Sequence, residues 1–269
     1  MTSAVLRGRE HTRIGAVDVV AEGPVAIANS RGGAPKNYLH TDPNEDVAGF
    51  LQGPGGAFLV VADGHSGFEA SEVVVENLLA YPAPQWTEAD ADFHAGWSRH
   101  ALAALCDANL DILRERSEGL NLESETTLVA TLVRPDSRDL LYACVGDSHL
   151  FVATRGGVHE LGARPGWPTP FLGARKETPD TLHTRCQLGR HDLTDALAVV
   201  CVTDGLSEQG IGVEDPALAI GEAVSAAAEL PADMRAMGLA RDICERACSA
   251  HQRQRAGDNV AVAVAWVGR

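Results

Sequence analysis

Four times along this chain a run of β-branched and small apolar residues meets an aspartate that stands next to a glycine. "AFLVVA" stops at Asp63-Gly64, "LLYACV" at Gly146-Asp147 and "ALAVVCVT" at Asp204-Gly205, while "VAVAVAWV" begins just after Gly257-Asp258. Runs of this length and composition read as buried strands. A chain carrying several of them is constrained to a sheet core with polar groups gathered at the strand ends. A fifth acidic element, Glu45-Asp46, opens the run "VAGFLQ".

Asp-Gly and Gly-Asp are also ordinary turn residues, because both types tolerate positive φ. Asp136 and Asp139, between two strands, read as such a turn. Asp63-Gly64 and Asp204-Gly205 differ, because each is expected to lead into a helix, whereas a two-residue hairpin turn leads into a strand. Carboxylates at the ends of neighbouring strands would converge at one end of the sheet. There they repel one another, and burial without a partner raises their pKa values. Something positive must sit between them. The motifs themselves carry no Lys or Arg, so hard divalent cations with oxygen ligands, Mg²⁺ or Mn²⁺, are the candidates. No His-rich or Cys-rich set of the kind zinc prefers is present. Two such ions sharing an aspartate, roughly 3.5–4 Å apart, would activate water for attack on a phosphoryl centre.

The rest of the chain supplies what a sheet core needs. "IGAVDVV" and "PVAIANS" are joined by the turn signal Glu22-Gly23, and "RGGAPKNYLHTDPNED" is a polar loop. Residues 67–80 and 88–117 carry helical apolar spacing, and "TTLVATLV", "DLLYACV", "HLFVATR" and "GVHEL" follow as short strands. Residues 162–180 hold four prolines and read as an extended loop or flap. Strands "TLHTRCQL" and "ALAVVCVT", two Ala-rich helices (about 215–229 and 233–250) and a last strand complete the pass. Strand runs interrupted by helix pairs indicate an α+β layered fold, not a βαβ alternation. No repeat or linker divides the 269 residues, and one domain over 1–269 is expected.

A formal net charge of −15, with no Lys/Arg cluster, argues against nucleic acid and against anionic membrane surfaces as partners. The first residues lack the apolar core of a signal peptide and no apolar run approaches a membrane span, so a cytoplasmic location is expected. Six scattered cysteines without a CxxC pair read as buried reduced thiols.

"NEDVAGF", "LVVADGHSG", "ETTLVATLV", "LLYACVGDSHLFV", "VVCVTDGLSEQG" and "GDNVAVAVAWV" stand in the order found in the metal-dependent Ser/Thr protein phosphatases (the PPM or type 2C family), which the chain resembles from about Asn44 to Trp266. The resemblance implies a four-layer αββα fold, a β-sandwich of two antiparallel sheets flanked by helix pairs. It implies a phosphatase acting on phosphoserine or phosphothreonine in proteins, in signalling, opposing a Ser/Thr kinase. It further implies two Mn²⁺ or Mg²⁺ ions, with a third in some members. Asp63 corresponds to the acid bridging both metals, and the Gly64 carbonyl and Glu45 to ligands of one of them. Asp46 corresponds to a residue holding metal-bound water. Asp204 and Asp258 match ligands of the other ion, and Asp147 with Asp204 the pair that holds the third. His65 resembles the general acid for the leaving oxygen, a task its near-neutral pKa suits.

Two departures stand out. Thr41 occupies the position of an arginine that grips the substrate phosphate, and Lys36 or His40 in the same loop are candidates to replace it. Glu125 stands where a glycine is usual. His149 replaces an arginine and receives no role, and His94, His100 and His191 are expected on the surface. The missing arginine keeps two other readings in play: a pseudophosphatase that binds phosphoproteins without turnover, and a hydrolase of the same fold acting on a small phosphorylated molecule.

Overall fold

The computed structural model describes residues 1–88, 91–118, 123–162 and 170–268. In chain order the strands are β1 (Thr2–Arg7), β2 (Asp18–Glu22), β3 (Val25–Ser30), β4 (Val47–Gly53), β5 (Gly56–Ala62), β6 (Gly64–His65), β7 (Glu125–Thr126), β8 (Leu128–Arg134), β9 (Asp139–Val145), β10 (His149–Thr154), β11 (Gly157–Leu161), β12 (Gln187–Asp192), β13 (Ala196–Val202) and β14 (Val260–Trp266). The helices are α1 (Glu69–Ala80), α2 (Pro82–Glu88), α3 (Trp97–Ser117), α4 (Pro179–His183), α5 (Pro216–Ala228) and α6 (Arg235–Gln254).

Two antiparallel sheets, β1-β4-β5-β8-β9-β12 and β11-β10-β13-β14-β3-β2, stack face to face. Period-two alternation divides each central strand between two apolar layers. In β5, Leu59 and Val61 meet Ile27, Val199 and Ala263 of the opposite sheet. Phe58, Val60 and Ala62 turn outward onto Val74 and Leu78 of α1 and Leu105 of α3. On the far side, Val200, Val262 and Val264 are covered by Ile220 of α5 and Leu239 and Ile243 of α6. Both faces of both sheets are thus sealed, which explains why the strands read as continuous apolar runs. The architecture is the expected αββα sandwich, and all six cysteines are buried free thiols.

Several local expectations need correction. "TLHTRCQL" is not one strand. Thr178 caps α4 with its side chain, accepting from Thr181 N–H while the Thr181 hydroxyl accepts from Thr178 N–H, and Pro179 occupies the first turn. A capping box outweighs the β-branched composition there, and the strand begins only at Gln187. The helical segment 88–117 is broken: α2 ends at Glu88, a 3₁₀ turn covers Ala91–Gly96 and α3 starts at Trp97. Asp204-Gly205 itself forms the start of a three-residue 3₁₀ turn, Asp204–Leu206, and α5 begins only at Pro216, where the Asp215 side chain accepts from Leu218 N–H. Asp139 is more than a turn residue, since it opens β9 almost fully buried and pairs with Arg190 at 2.6 Å. Strand β1, which the sequence reading overlooked, pairs along β4 as the sheet edge. Of the expected flap, residues 163–169 lie outside the described residues. Its remainder is anchored where Leu172 bridges Thr126 and Gly173 N–H donates to Asn109 Oδ1 at 2.7 Å.

Candidate active site

Strand register brings the acids together. Val47 pairs Ala62, so Glu45-Asp46 enters β4 beside the end of β5 at Asp63. Val202 pairs Val262 across β13 and β14, which sets Asp204 beside the start of β14 near Asp258. The two sheets meet at this end in a cleft of about 850 Å³. Lys36, Glu45, Asp63, Gly64, His65, Asp147, Asp204 and Asp258 all line it. Carboxylate oxygens of Asp63, Asp147 and Asp204 lie within 4.8 Å of one another.

The segments of Asp63, Glu45, Asp46 and Asp204 are held from behind by groups that sequence reasoning did not single out. The backbone of Asp63 is clamped by the two threonines after Glu125. Its N–H donates to Thr127 Oγ1 at 3.3 Å, and its carbonyl accepts from Thr126 Oγ1 at 2.8 Å. Asn259 Oδ1 accepts from Glu45 N–H at 3.0 Å while its Nδ2 donates to Pro43 O at 2.9 Å, tying the Glu45 loop to β14. Thr203 Oγ1 donates to Asp46 Oδ2 at 2.7 Å and accepts from Ala261 N–H at 2.9 Å. His251, buried on α6, joins Gly205 O (2.7 Å) to the N–H of Gly33 (3.2 Å). Polar side chains that are buried at strand ends are the signal that could have found these residues.

Gly64 has no room for a side chain, because a Cβ there would lie 2.4 Å from the carbonyl oxygen of Glu45. The two chain segments that carry Asp63 and Glu45 can approach only because that position is glycine.

Crowding sets the electrostatics. Burial, then the charge of Asp63, pushes the carboxyls of Asp46 and Asp204 well above the usual range. Burial raises Asp258 as well, against the pull of Lys36. For Asp63 burial also works upward, but His65 overrides it by charge and hydrogen bond and holds this carboxyl low. The His65 Nε2 lies 3.1 Å from Asp63 Oδ2. Burial would lower the imidazole, yet Asp63 prevails and raises it to about 9. Phe171 packs on the His65 ring with centroids 4.6 Å apart.

Of the three candidates for holding phosphate, Lys36 reaches into the cleft. Its Nζ is 3.4 Å from Glu45 Oε2 and 3.6 Å from Asp258 Oδ1, with the side chain only 4% exposed. The sequence offered Lys36 only as a partner for phosphate; its pairing with Glu45 and Asp258 is what the fold adds. Tyr38, which sequence reasoning missed, donates its hydroxyl to Asp258 Oδ1. Thr41 faces solvent and contributes its backbone N–H to Glu45 Oε1 at 3.2 Å. His40 is exposed and its Nδ1 lies 3.1 Å from Tyr38 O. Glu125 pairs with His65 across the short β6–β7 ladder. His149 is buried, with Nδ1 2.7 Å from Glu160 Oε1 and Nε2 2.5 Å from Ser207 Oγ, joining the β10–β11 hairpin to the loop after Asp204. His100 and His191 are half-buried; the side chain of His94 lies outside the described residues.

The residues fit the divalent ions that the carboxylates call for. Asp46 Oδ1 is fully buried and meets no hydrogen-bond donor. With Asp63, Asp147 and Asp204 converging beside it, the donor set is all oxygen, as Mg²⁺ and Mn²⁺ require.

Solved structures of the same architecture include the catalytic domain of the serine/threonine phosphatase PstP in complex with two manganese ions. That domain is 19% identical over 93% of this chain and 99% of its own, with a TM-score of 0.65. The serine/threonine phosphatase Stp1 from Staphylococcus aureus is 17% identical over 91% and 95%, also at 0.65. PstP/Ppp from Mycobacterium tuberculosis is 20% identical over 94% and 99%, at 0.64. Among curated proteins no match was found. The description of the family Protein phosphatase 2C matches residues 36–241, most of the sandwich and every candidate site residue except Asp258. The chain belongs to the protein phosphatase 2C family, and with it to the protein-serine/threonine phosphatases.

Proposed function

We propose that this protein hydrolyses phosphoserine and phosphothreonine in protein substrates, with Mn²⁺ or Mg²⁺ held by Glu45, Asp63, Gly64 O, Asp204 and Asp258, and with Asp147 available for a further ion. The observation that carries this reading is the meeting of Asp63, Asp147 and Asp204 within 4.8 Å of one another, on a cleft that also holds His65. Two such ions, when bound, lower the pKa of water and neutralise charge developing on the phosphoryl oxygens. Asp46, whose buried Oδ1 has no donor and whose carboxyl feels the charges of Asp63 and Asp258, orients water by accepting its hydrogen bond. Lys36 supplies a point charge for the phosphate in place of the planar fork that an arginine at position 41 would offer. Thr41 and His40 border the loop and contribute polar contacts from its exposed side.

His65 donates its proton to the leaving Ser or Thr oxygen. Its place on the cleft, 3.1 Å from Asp63, puts the imidazole beside the acids, and the near-neutral pKa that is ordinary for histidine suits a general acid. Proton transfer requires it to release Asp63, a side chain otherwise committed to the ions. No described helix is long and apolar enough to cross a membrane. The setting proposed for this activity is the cytoplasm, in signalling opposite a Ser/Thr kinase.

The deciding experiment is hydrolysis of a phosphothreonine peptide by the purified protein with Mn²⁺, with EDTA, and with Asp63→Asn. Turnover that needs Mn²⁺ and is lost in Asp63→Asn is the expected result. A folded protein that binds Mn²⁺ but hydrolyses nothing would instead be a phosphoprotein-binding module. Turnover of small phosphate esters alone would place the substrate elsewhere.

A further inference from the structure

His149, which the sequence left without a role, opens β10 opposite Val202 of β13, close in the chain to Asp204. Its side chain is fully buried, and its ring stacks on Phe151 with centroids 5.4 Å apart. Both ring nitrogens are engaged: Nδ1 lies 2.7 Å from Glu160 Oε1 on β11, and Nε2 lies 2.5 Å from Ser207 Oγ. An ionised carboxylate only accepts, so the Nδ1 proton points to Glu160 and Nε2 meets the Ser207 hydroxyl. Ser207 closes the short turn Asp204–Leu206, and its own N–H donates to Asp204 O at 2.7 Å. After that turn no helix or strand begins until Pro216.

Serine, histidine and glutamate in this order are the parts of an activated nucleophile with its base and orienting acid. The surroundings do not suit that chemistry. The N–H groups of Ser207 and Glu208, which an oxyanion would need, both donate to Asp204 O at 2.7 Å. The adjacent carboxylates of Asp204 and Glu208 already repel each other and would oppose a further negative charge. What the chain of bonds can do is hold a turn. Asp204 follows directly on β13, and its turn is gripped from α6 where His251 meets Gly205 O. The second grip comes from β10 and β11 through His149 and Ser207.

We propose that His149 is a positioning residue for Asp204. The chain Glu160–His149–Ser207 sets the turn from which Asp204 holds divalent ions. The inference rests on the metal-dependent reading above and adds the groups that aim one of its ligands. It concerns the ions that use Asp204, one shared with Asp258 and the further one shared with Asp147. The ion assigned to Glu45 and Gly64 O stands outside it. A ligand aimed before the ion arrives binds it more tightly, because the freedom of the turn is already lost on folding. Glu160 lies on the edge strand of its sheet with 35% of its side chain exposed, so a ligand inside the cleft is braced from the surface.

The test is calorimetric titration of the metal-free protein with Mn²⁺. Wild type is compared with Ser207→Ala, Ser207→Thr, Glu160→Ala and the double variant Ser207→Ala/Glu160→Ala, each checked for folding by circular dichroism. Ser207→Ala should weaken the ions that use Asp204 by about tenfold and leave one Mn²⁺ within about twofold of its wild-type affinity. Ser207→Thr keeps the hydroxyl and should bind like wild type. Glu160→Ala should act in the same direction as Ser207→Ala. The double variant should bind no more weakly than the weaker single, because both ends act through one histidine. A merely structural role would lower the urea midpoint of the metal-free protein and leave Mn²⁺ binding unchanged, which overturns the inference. Equal weakening of every ion, a fully additive double variant, or a Ser207→Thr as weak as Ser207→Ala also overturns it. Folded wild type that binds no Mn²⁺ overturns the metal-dependent reading as well. Wild type that binds Mn²⁺ but hydrolyses no phosphopeptide overturns only the catalytic reading. Should Ser207→Ala fail to fold, Glu160→Ala at the sheet edge carries the same readout.

Discussion

At the scale of single residues the site depends on two positions whose side chains take no part in the chemistry. Gly64 lets the Asp63 and Glu45 segments touch. Gly64→Ala would drive a Cβ against the Glu45 carbonyl, and backbone cannot yield as a flexible side chain can. The expected cost is about 1–3 kcal/mol of stability and a fall in Mn²⁺-dependent turnover of about tenfold to a hundredfold, read by urea denaturation and by phosphopeptide hydrolysis. His251 is the second. Because its Nδ1 accepts from Gly33 N–H, the proton stands on Nε2 and donates to Gly205 O, so the ring is neutral in the fold. Burial holds its pKa below 6.5. A depressed folded pKa means that the stability it contributes is present above pH 6.5 and is lost as pH falls through the lower, folded value. Its contribution should therefore decline between pH 7.5 and pH 5, against the opposite trend of Asp46, Asp204 and Asp258, whose raised carboxyls favour the fold as pH falls. His251→Gln should flatten that decline, at a cost of about 1–3 kcal/mol near pH 7.5 because one of its two backbone partners is left without a bond. An unchanged slope in the variant would remove His251 as the cause.

At the scale of elements, α4 is where local composition and local capping disagree. Thr181, Thr184 and the apolar neighbours suggest a strand, but the Thr178–Thr181 box and Pro179 start a helical turn, and Glu177 receives Arg175 at 2.9 Å and the Thr181 hydroxyl at 2.6 Å. Thr178→Ala should cost about 0.5–2 kcal/mol, measurable as a shift in the denaturation midpoint with no change in Mn²⁺ affinity, since α4 contributes nothing to the cleft lining. A change in metal affinity would mean that α4 positions the flap over the site. Strand β1 escaped notice for a related reason. It is an edge strand, half-exposed and polar at its start, and only its pairing along β4 makes it a strand.

At the scale of the whole molecule, three apolar layers hold the two sheets and four main covering helices together. The layer between the sheets is the one that keeps the carboxylates of one sheet opposite those of the other. Leu59→Ala, in the middle of that layer and fully buried, should cost about 2–5 kcal/mol, with thermal unfolding as the measurement. The net charge of −15 has its densest expression in the cleft, where burial and mutual repulsion raise Asp46, Asp204 and Asp258. Divalent ions should accordingly raise the melting temperature far more than the same ionic strength of NaCl, because screening by monovalent salt does not reach buried charges.

What could be read from the sequence alone was whatever local chemistry dictates. Apolar runs of strand length require a sheet that is covered on both faces. Acids at their ends must gather at one edge, and a glycine after Asp63 allows close backbone approach there. Those facts follow from periodicity and from the conformational freedom of glycine, which neighbours in the chain already determine. The rest depended on groups far apart in the chain. Lys36 meets Asp258 across 222 positions only because β14 lies beside β3, and the Asn259, Thr203 and His251 contacts that hold the acids likewise cross between elements. A buried ion pair or hydrogen bond between distant segments has no periodicity and no local propensity to announce it. It exists because packing excludes water from that place and every polar group left there must find a partner.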